Sequence, residues 1–208
     1  MLAITPEAER LIEKAGRTCY DTGDRAAADT APRFIQMLIR RGHLSVLEHA
    51  SATFRLRGVS RALTHQLVRH RLASYSQRSQ RYVKEDGFGV VTPPSIADRP
   101  AAAARFGEFI HLARKTYDAL RAEGVPPEDA RFVLPNACQT EIVATANFRE
   151  WRHILRLRGT REAQWEIRRL AVAILRELKR HAPAVFADLE IDESDNFITQ
   201  SVSKGDIG

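Results

Sequence analysis

Apolar residues recur along the chain at two spacings, and the spacing changes from stretch to stretch. Residues 5–16 open on Thr5-Pro6-Glu7, with Thr5 suited to cap a helix and Pro6 to its first position. Residues 19–28 are polar and turn-like, with Asp21, Gly23 and Asp24. A second helix is expected over 32–41, with Phe34, Met37 and Leu38 on one face and Gly42 ending it. The pattern then alternates over 50–57: Ala52, Phe54 and Leu56 fall on one side, Thr53, Arg55 and Arg57 on the other, as in a half-buried antiparallel strand. Gly58 breaks it, and Ser60 caps a helix expected to run through Arg71. In that helix Leu63, Leu67 and His70 share one side, while Gln66 and Arg69 lie a turn apart on the next stripe.

Residues 88–94 read as a short strand stopped by two prolines. A long helix follows over 99–123, where Ala102, Phe106, Phe109, Ala113, Tyr117 and Leu120 recur at helical spacing and are expected in the core. Over 125–137 a short helix precedes Arg131 and an apolar exit. Residues 138–146 are rich in β-branched side chains and read as a strand. In the helix expected over 147–158, Phe148, Trp151 and Leu155 face inward, with Arg149 and His153 four apart on another side. Gly159 closes it, and Thr160 opens a last helix with Ile167, Leu170, Ile174 and Leu178 inward. The tail, 192–208, is polar and expected to be poorly ordered. With no internal repeat and no linker, the elements describe an α+β protein: a small, mostly antiparallel sheet with long helices, one domain over 1–208.

Composition narrows the partners. A chain of 208 residues suits one domain, and 44% hydrophobic residues suit a folded globule. The net charge of +6 favours an acidic partner: nucleic acid, a nucleotide or another polyanion. Cys19 and Cys138 make no disulfide scaffold and lack zinc spacing. The first residues carry no basic segment followed by an apolar run, and no apolar run approaches the roughly 18 residues that span a bilayer. A soluble cytoplasmic protein is expected, with no membrane partner.

The charge is concentrated. Residues 69–82, RHRLASYSQRSQRY, hold Arg69, Arg71, Arg78 and Arg81 with His70, Ser74, Ser76, Ser79, Gln77 and Gln80. No Asp or Glu occurs from His49 to Lys84. Such a run either binds a dense anion such as phosphate or is a solvated basic loop. Upstream, GHLSVLEH over 42–49 places His43 and His49 at a spacing unlike a helical metal pair and without an evident third ligand, so no metal is expected. A nucleotide or cofactor contact and a helix-cap cluster both fit it. There is no GxGxxG after a strand, no Walker loop and no GxSxG elbow. Arg, His, Ser, Gln and Asn gather instead in three stretches, 43–49, 65–82 and 147–158. Guanidinium forks and hydroxyls suit phosphates, and amides suit a base or an isoalloxazine edge. Ser79 is better read as a phosphate ligand than as a nucleophile, because no base lies near it in sequence. Cys138 reads as a packed thiol.

Arg69-His70-Arg71, seven residues, then Ser79-Gln80-Arg81-Tyr82 resembles the signature of the flavin-dependent thymidylate synthases. GHLSVLEH resembles that family's Gly-His-x-Ser/Thr-x-x-Glu-His segment; ARFVLP at 130–135, the Asn-x-Arg at Asn147 and LRxxxxAQWEIR over 157–168 follow in the expected order. The similarity spans about residues 34–182. It implies synthesis of thymidylate from deoxyuridylate (dUMP), with methylenetetrahydrofolate as carbon donor, FAD as hydride carrier and NADPH as reductant. It also implies a homotetramer whose active sites draw on several subunits. Carried over, the FAD contacts are Ser45, Arg69, His70, Arg71, Gln77, Asn147, Arg149 and His153, with His43 near the flavin. The dUMP contacts are Gln66, Arg69, Gln77, Ser79, Gln80, Arg81, Arg131 and Arg158, and Arg158 is the catalytic residue. Gln77 stands where some members carry Glu, and His153 where some carry Asn. Arg78, Arg81 and Arg131 are candidates to hold or steer the phosphate. A nucleic-acid-binding protein using 55–81 as a phosphate-tracking face is the alternative from another class. A flavin-binding structural or regulatory protein is a third.

Overall fold

Strand alternation and helix periodicity place most elements close to where they form. The computed structural model of the chain describes residues 1–19, 21–22 and 29–201. In order these are β1 (Ala3–Ile4), α1 (Ala8–Cys19), α2 (Ala31–Arg40), a 3₁₀ turn (Leu44–His49), β2 (Ser51–Ser60), α3 (Arg61–Leu67) and β3 (Ser74–Gln77). There follow α4 (Pro94–Ala97), α5 (Pro100–Ala122), α6 (Pro127–Ala130), a 3₁₀ turn (Arg131–Val133), β4 (Gln139–Asn147), α7 (Phe148–Arg158), α8 (Trp165–His181), β5 (Leu189–Asp192) and β6 (Phe197–Gln200). The strands form a four-stranded sheet, order β1-β2-β4-β3, and a β5-β6 hairpin, so the fold is α+β. The chain separates into two compact units. The first holds the described residues of Met1–Phe54, Val68–Ser74 and Ala144–Gly208; the second is Arg55–Leu67 with Tyr75–Val143.

In the first unit β1 pairs antiparallel with the start of β2, Ala3 opposite Thr53 and Ile4 opposite Ala52. The Thr53 and Thr145 hydroxyls meet at 2.9 Å. Trp151, Phe148 and Leu155 of α7 are fully buried, as their spacing predicts. Each removes apolar surface worth roughly 2 kcal/mol from water. The Trp151 indole N–H donates to Ala52 O (3.0 Å) and its ring meets Phe54 edge-on at 5.2 Å. In the second unit Phe88, Ile110, Ala113 and Cys138 form a core with Val90, Phe106 and Leu134 around it.

Several expectations are corrected. Thr5 does not cap a helix: its hydroxyl accepts from Ser51 N (2.9 Å), continuing the strand edge, and the helix starts at Ala8 and runs on to Cys19. The turn expected over 19–28 lies mostly outside the described residues. The inward face of α2 is Ala31, Ile35 and Leu38. Strand β2 passes through Gly58, which adopts φ +67, a left-handed conformation that glycine takes without strain, and ends at Ser60. Ser60 does accept from Leu63 N (3.0 Å), yet α3 stops at Leu67, where the Tyr75 hydroxyl donates to the Leu67 carbonyl (2.8 Å) and satisfies the helix end. Arg69, His70 and Arg71 therefore sit in a turn, and Ser74–Gln77 is a strand rather than loop. Residues 88–94 make only the bridge from Val90 to Cys138. Phe109 is 52% exposed, so it is not core, and Leu120 is half-buried. The last helix begins at Trp165, because the Gln164 side chain accepts from Glu166 N and Ile167 N and caps it there; Leu170 is only half-buried. The tail is ordered through β5 and β6, paired antiparallel from Leu189–Gln200 to Asp192–Phe197.

Candidate functional site

The first unit contains a cavity of about 1050 Å³, lined by the turn carrying Arg69, His70 and Arg71 and by one side of α7. Asn147 caps that helix, its side-chain oxygen accepting from Glu150 N (2.8 Å), which fixes where the first turn begins. From there the 3.6-residue period aims Arg149, Glu150, His153, Arg156, Leu157 and Arg158 at the cavity. Leu44 and Glu48 of the first 3₁₀ turn line it too, and Arg149 donates to Glu48 (2.6 Å). Among the described residues Arg69, Arg71 and Arg156 make no ion pair, so three guanidiniums face the cavity without a carboxylate partner. Such a wall suits a phosphate-bearing ligand.

His70 is 5% exposed, and its two ring nitrogens face different groups. Arg158 Nε–H donates to His70 Nε2 (3.0 Å), while His70 Nδ1 lies 3.6 Å from Glu150 Oε1. The His153 ring meets His70 edge-on at 5.4 Å. Burial, then the positive charge of Arg158, then His153 lower the His70 pKa from 6.5 to about 4. His70 is therefore neutral near pH 7, and its approach to Glu150 is an oriented polar contact rather than an ion pair. Burial also pushes the Glu150 carboxyl up. The ligand atoms of His70, Glu150 and His153 lie within 4.8 Å of one another, a grouping that could hold a metal. The guanidinium N–H directed at His70 Nε2 occupies the lone pair such an ion would need.

The second unit has a smaller cavity of about 230 Å³ lined by Arg61, His65, Gln80, Arg131, Phe132 and neighbours. Gln80 is buried there. Arg131 Nε donates to Glu128 O (3.0 Å), and Arg81 lies 3.5 Å from the Glu128 carboxylate. Ser79 Oγ accepts from Arg81 N (3.2 Å). Arg78 is 3.6 Å from Glu85, so part of the basic run finds its acid outside the run. Arg55 and Arg57 both pair with Glu141 on β4.

The sequence-predicted residues thus fall into two groups. Arg69, His70, Arg71, Asn147, Arg149, His153 and Arg158 surround the large cavity, and Gln80 and Arg131 line the small one. Ser45 is exposed on the 3₁₀ turn between Leu44 and Glu48. Gln66 is on α3. Gln77, on β3, donates to Thr64 Oγ1 (2.9 Å) and so is braced within the second unit. Burial pushes the Cys138 thiol up to about 12, which agrees with a packed rather than a nucleophilic cysteine. Glu150, Glu48, Arg156, Arg61 and His65 were not singled out from the sequence. Glu150 carried one signal: it stands three residues after Asn147, the position where a helix-capping Asn meets a Glu.

The sequence model of the thymidylate synthase complementing protein family matches residues 1–184. The flavin-dependent thymidylate synthase of Geobacter sulfurreducens is 46% identical over 196 residues, covering 90% of this chain and 84% of that protein. That of Mycobacteroides abscessus is 44% identical over 205 residues, covering 87% of this chain and 79% of that protein. That of Mycobacterium sp. (strain JLS) is 45% identical over 202 residues, with 87% and 80% covered. The family match over residues 1–184 spans the motifs at 42–49, 69–82 and 157–168, and with the identity of these relatives it leads to one conclusion: the chain belongs to the flavin-dependent thymidylate synthase family.

Proposed function

We propose that the chain converts dUMP to dTMP by reductive methylation, consuming methylenetetrahydrofolate and NADPH and releasing tetrahydrofolate and NADP. The observation that carries this reading is the large cavity, where three unpaired guanidiniums stand beside a neutral, buried His70 that anchors Arg158. The donor set fits FAD: Arg69 and Arg71 offer open forks to a pyrophosphate, Arg149 adds the N–H groups that Glu48 does not hold, and Asn147 and His153 offer hydrogen bonds to polar ring or ribose edges. Bound flavin supplies the hydride that the one-carbon unit needs.

The chain's own groups bind, orient and set charge. Ser79, Arg81 and Arg131 hold the dUMP phosphate, with Arg78 steering it and Gln66, Gln77 and Gln80 adding amides to the nucleotide. Arg158 lies by the uracil and favours its N3-deprotonated form, since a cation stabilises a neighbouring anion. Electron density at C5 rises, and C5 accepts the one-carbon unit from the folate. Ser45 and His43 assist at the flavin. The chain acts as a single catalytic domain over 1–208, in a cytoplasmic homotetramer whose sites combine residues of several subunits. A nucleic-acid-tracking role is less supported, because Arg55 and Arg57 share the Glu141 carboxylate, which offsets one of their two charges.

The purified protein should be yellow and should bleach when NADPH is added. A colourless preparation that takes up no added FAD contradicts the reading.

A further inference from the structure

We infer that Glu150 and His70 form a positioning relay for Arg158: Glu150 holds the His70 proton on Nδ1, leaving Nε2 as the fixed acceptor for the Arg158 Nε–H. Its catalytic arm rests on the function proposed above; its structural arm does not. A guanidinium has five donors and no acceptor. The 3.0 Å contact between Arg158 Nε and His70 Nε2 therefore requires a lone pair on Nε2. A neutral imidazole must then carry its proton on Nδ1, the atom 3.6 Å from Glu150 Oε1. The other tautomer would face one N–H against another and would turn a bare ring nitrogen, rather than an N–H, toward the buried Glu150 carboxyl 3.6 Å away.

The surroundings keep His70 neutral. Arg158 and His153 face it from α7 along with Glu150, Arg69 and Arg71 flank it in its own turn, and Glu48 of the 3₁₀ turn is engaged by Arg149. The Glu150 carboxyl is thus placed at the nitrogen where it selects a tautomer. With Nε anchored, the guanidinium plane at the end of α7 is set before any ligand arrives, which is the preorganisation that a charge-stabilising group needs. A metal ion in the same cluster would displace the Arg158 contact.

Two-bond ¹H–¹⁵N spectra of histidine-labelled protein near pH 7 test the relay without substrate. The His70 signal, identified by its loss in His70→Gln, should show protonated Nδ1 and bare Nε2. Glu150→Leu should mix or reverse the tautomer and lower kcat about 100-fold, the order that a misplaced catalytic group costs, with flavin still bound. Glu150→Gln, which keeps an acceptor, should retain the tautomer and stay within a few-fold of wild-type kcat. A wild-type Nε2–H tautomer, an unchanged tautomer and kcat in Glu150→Leu, or stoichiometric zinc binding that displaces Arg158 would each overturn the relay. A wild type that makes no thymidylate yet shows the Nδ1–H tautomer would refute the proposed function and leave the relay standing.

Discussion

Arg158 occupies the last position of α7, and a single truncation there separates folding from chemistry. Arg158→Ala should abolish thymidylate formation and leave the circular dichroism spectrum and flavin content intact; near-normal turnover would remove the role assigned to it. Ser79→Ala should raise the Kd for dUMP, measured by calorimetry, while leaving measurable turnover. Loss of all activity with dUMP affinity intact would instead indicate a nucleophile. His70 gives a pH prediction. Its pKa is about 4 in the folded chain against 6.5 ordinarily, so on acidification the unfolded chain takes the proton first and stability falls from about pH 6.5 down to about pH 4. The melting temperature of wild type should drop more steeply across that window than that of His70→Asn, and parallel curves would contradict the assignment. At this scale the motif residues were legible because arginines and amides cluster in sequence. The burial of His70 agrees with its place beside Leu63 and Leu67 in the pattern, but its partners were not legible, since Glu150 and Arg158 lie some eighty residues away.

Helix α7 ties the cavity to the fold at both ends. Asn147 caps its start, and Asn147→Ala should cost about 1 kcal/mol of stability by urea denaturation, whereas Asn147→Asp keeps the cap. If both lose flavin affinity but only Ala loses stability, the side chain serves cap and ligand separately; equal stability of the two variants would deny the cap. At the other end, a Cβ on Gly159 would stand 2.6 Å from Leu155 O and collide with Ile198 Cδ1. Ile198 N also donates to Gly159 O (2.7 Å), pinning β6 against the helix end that carries Arg158. Gly159→Ala should destabilise by about 2 kcal/mol through overpacking. The helix itself was readable from Phe148, Trp151 and Leu155. The β5-β6 hairpin was not, because Asp192–Asn196 is polar and its order comes from pairing and from Gly159 rather than from an apolar period. Likewise the pattern reads α3 as continuous through Arg71, yet it ends at Leu67, whose carbonyl accepts from the Tyr75 hydroxyl.

At the scale of the molecule, the expected FAD contacts lie mostly in the first compact unit and the expected dUMP contacts mostly in the second, with Gln77 on one side and Arg69 and Arg158 on the other as exceptions, and the proposed assembly brings several copies of the chain to each site. Light scattering should give four chain masses, and a monomer that retains full turnover would contradict shared sites. The α+β class was readable from alternation and helical spacing, whereas the division into units is a matter of long-range contact that no local pattern records. The most direct test of the whole account is turnover. Purified protein with FAD, NADPH, methylenetetrahydrofolate and dUMP, kept anaerobic, should form dTMP in step with NADPH oxidation. NADPH oxidation without dTMP, or no reaction at all, would contradict it.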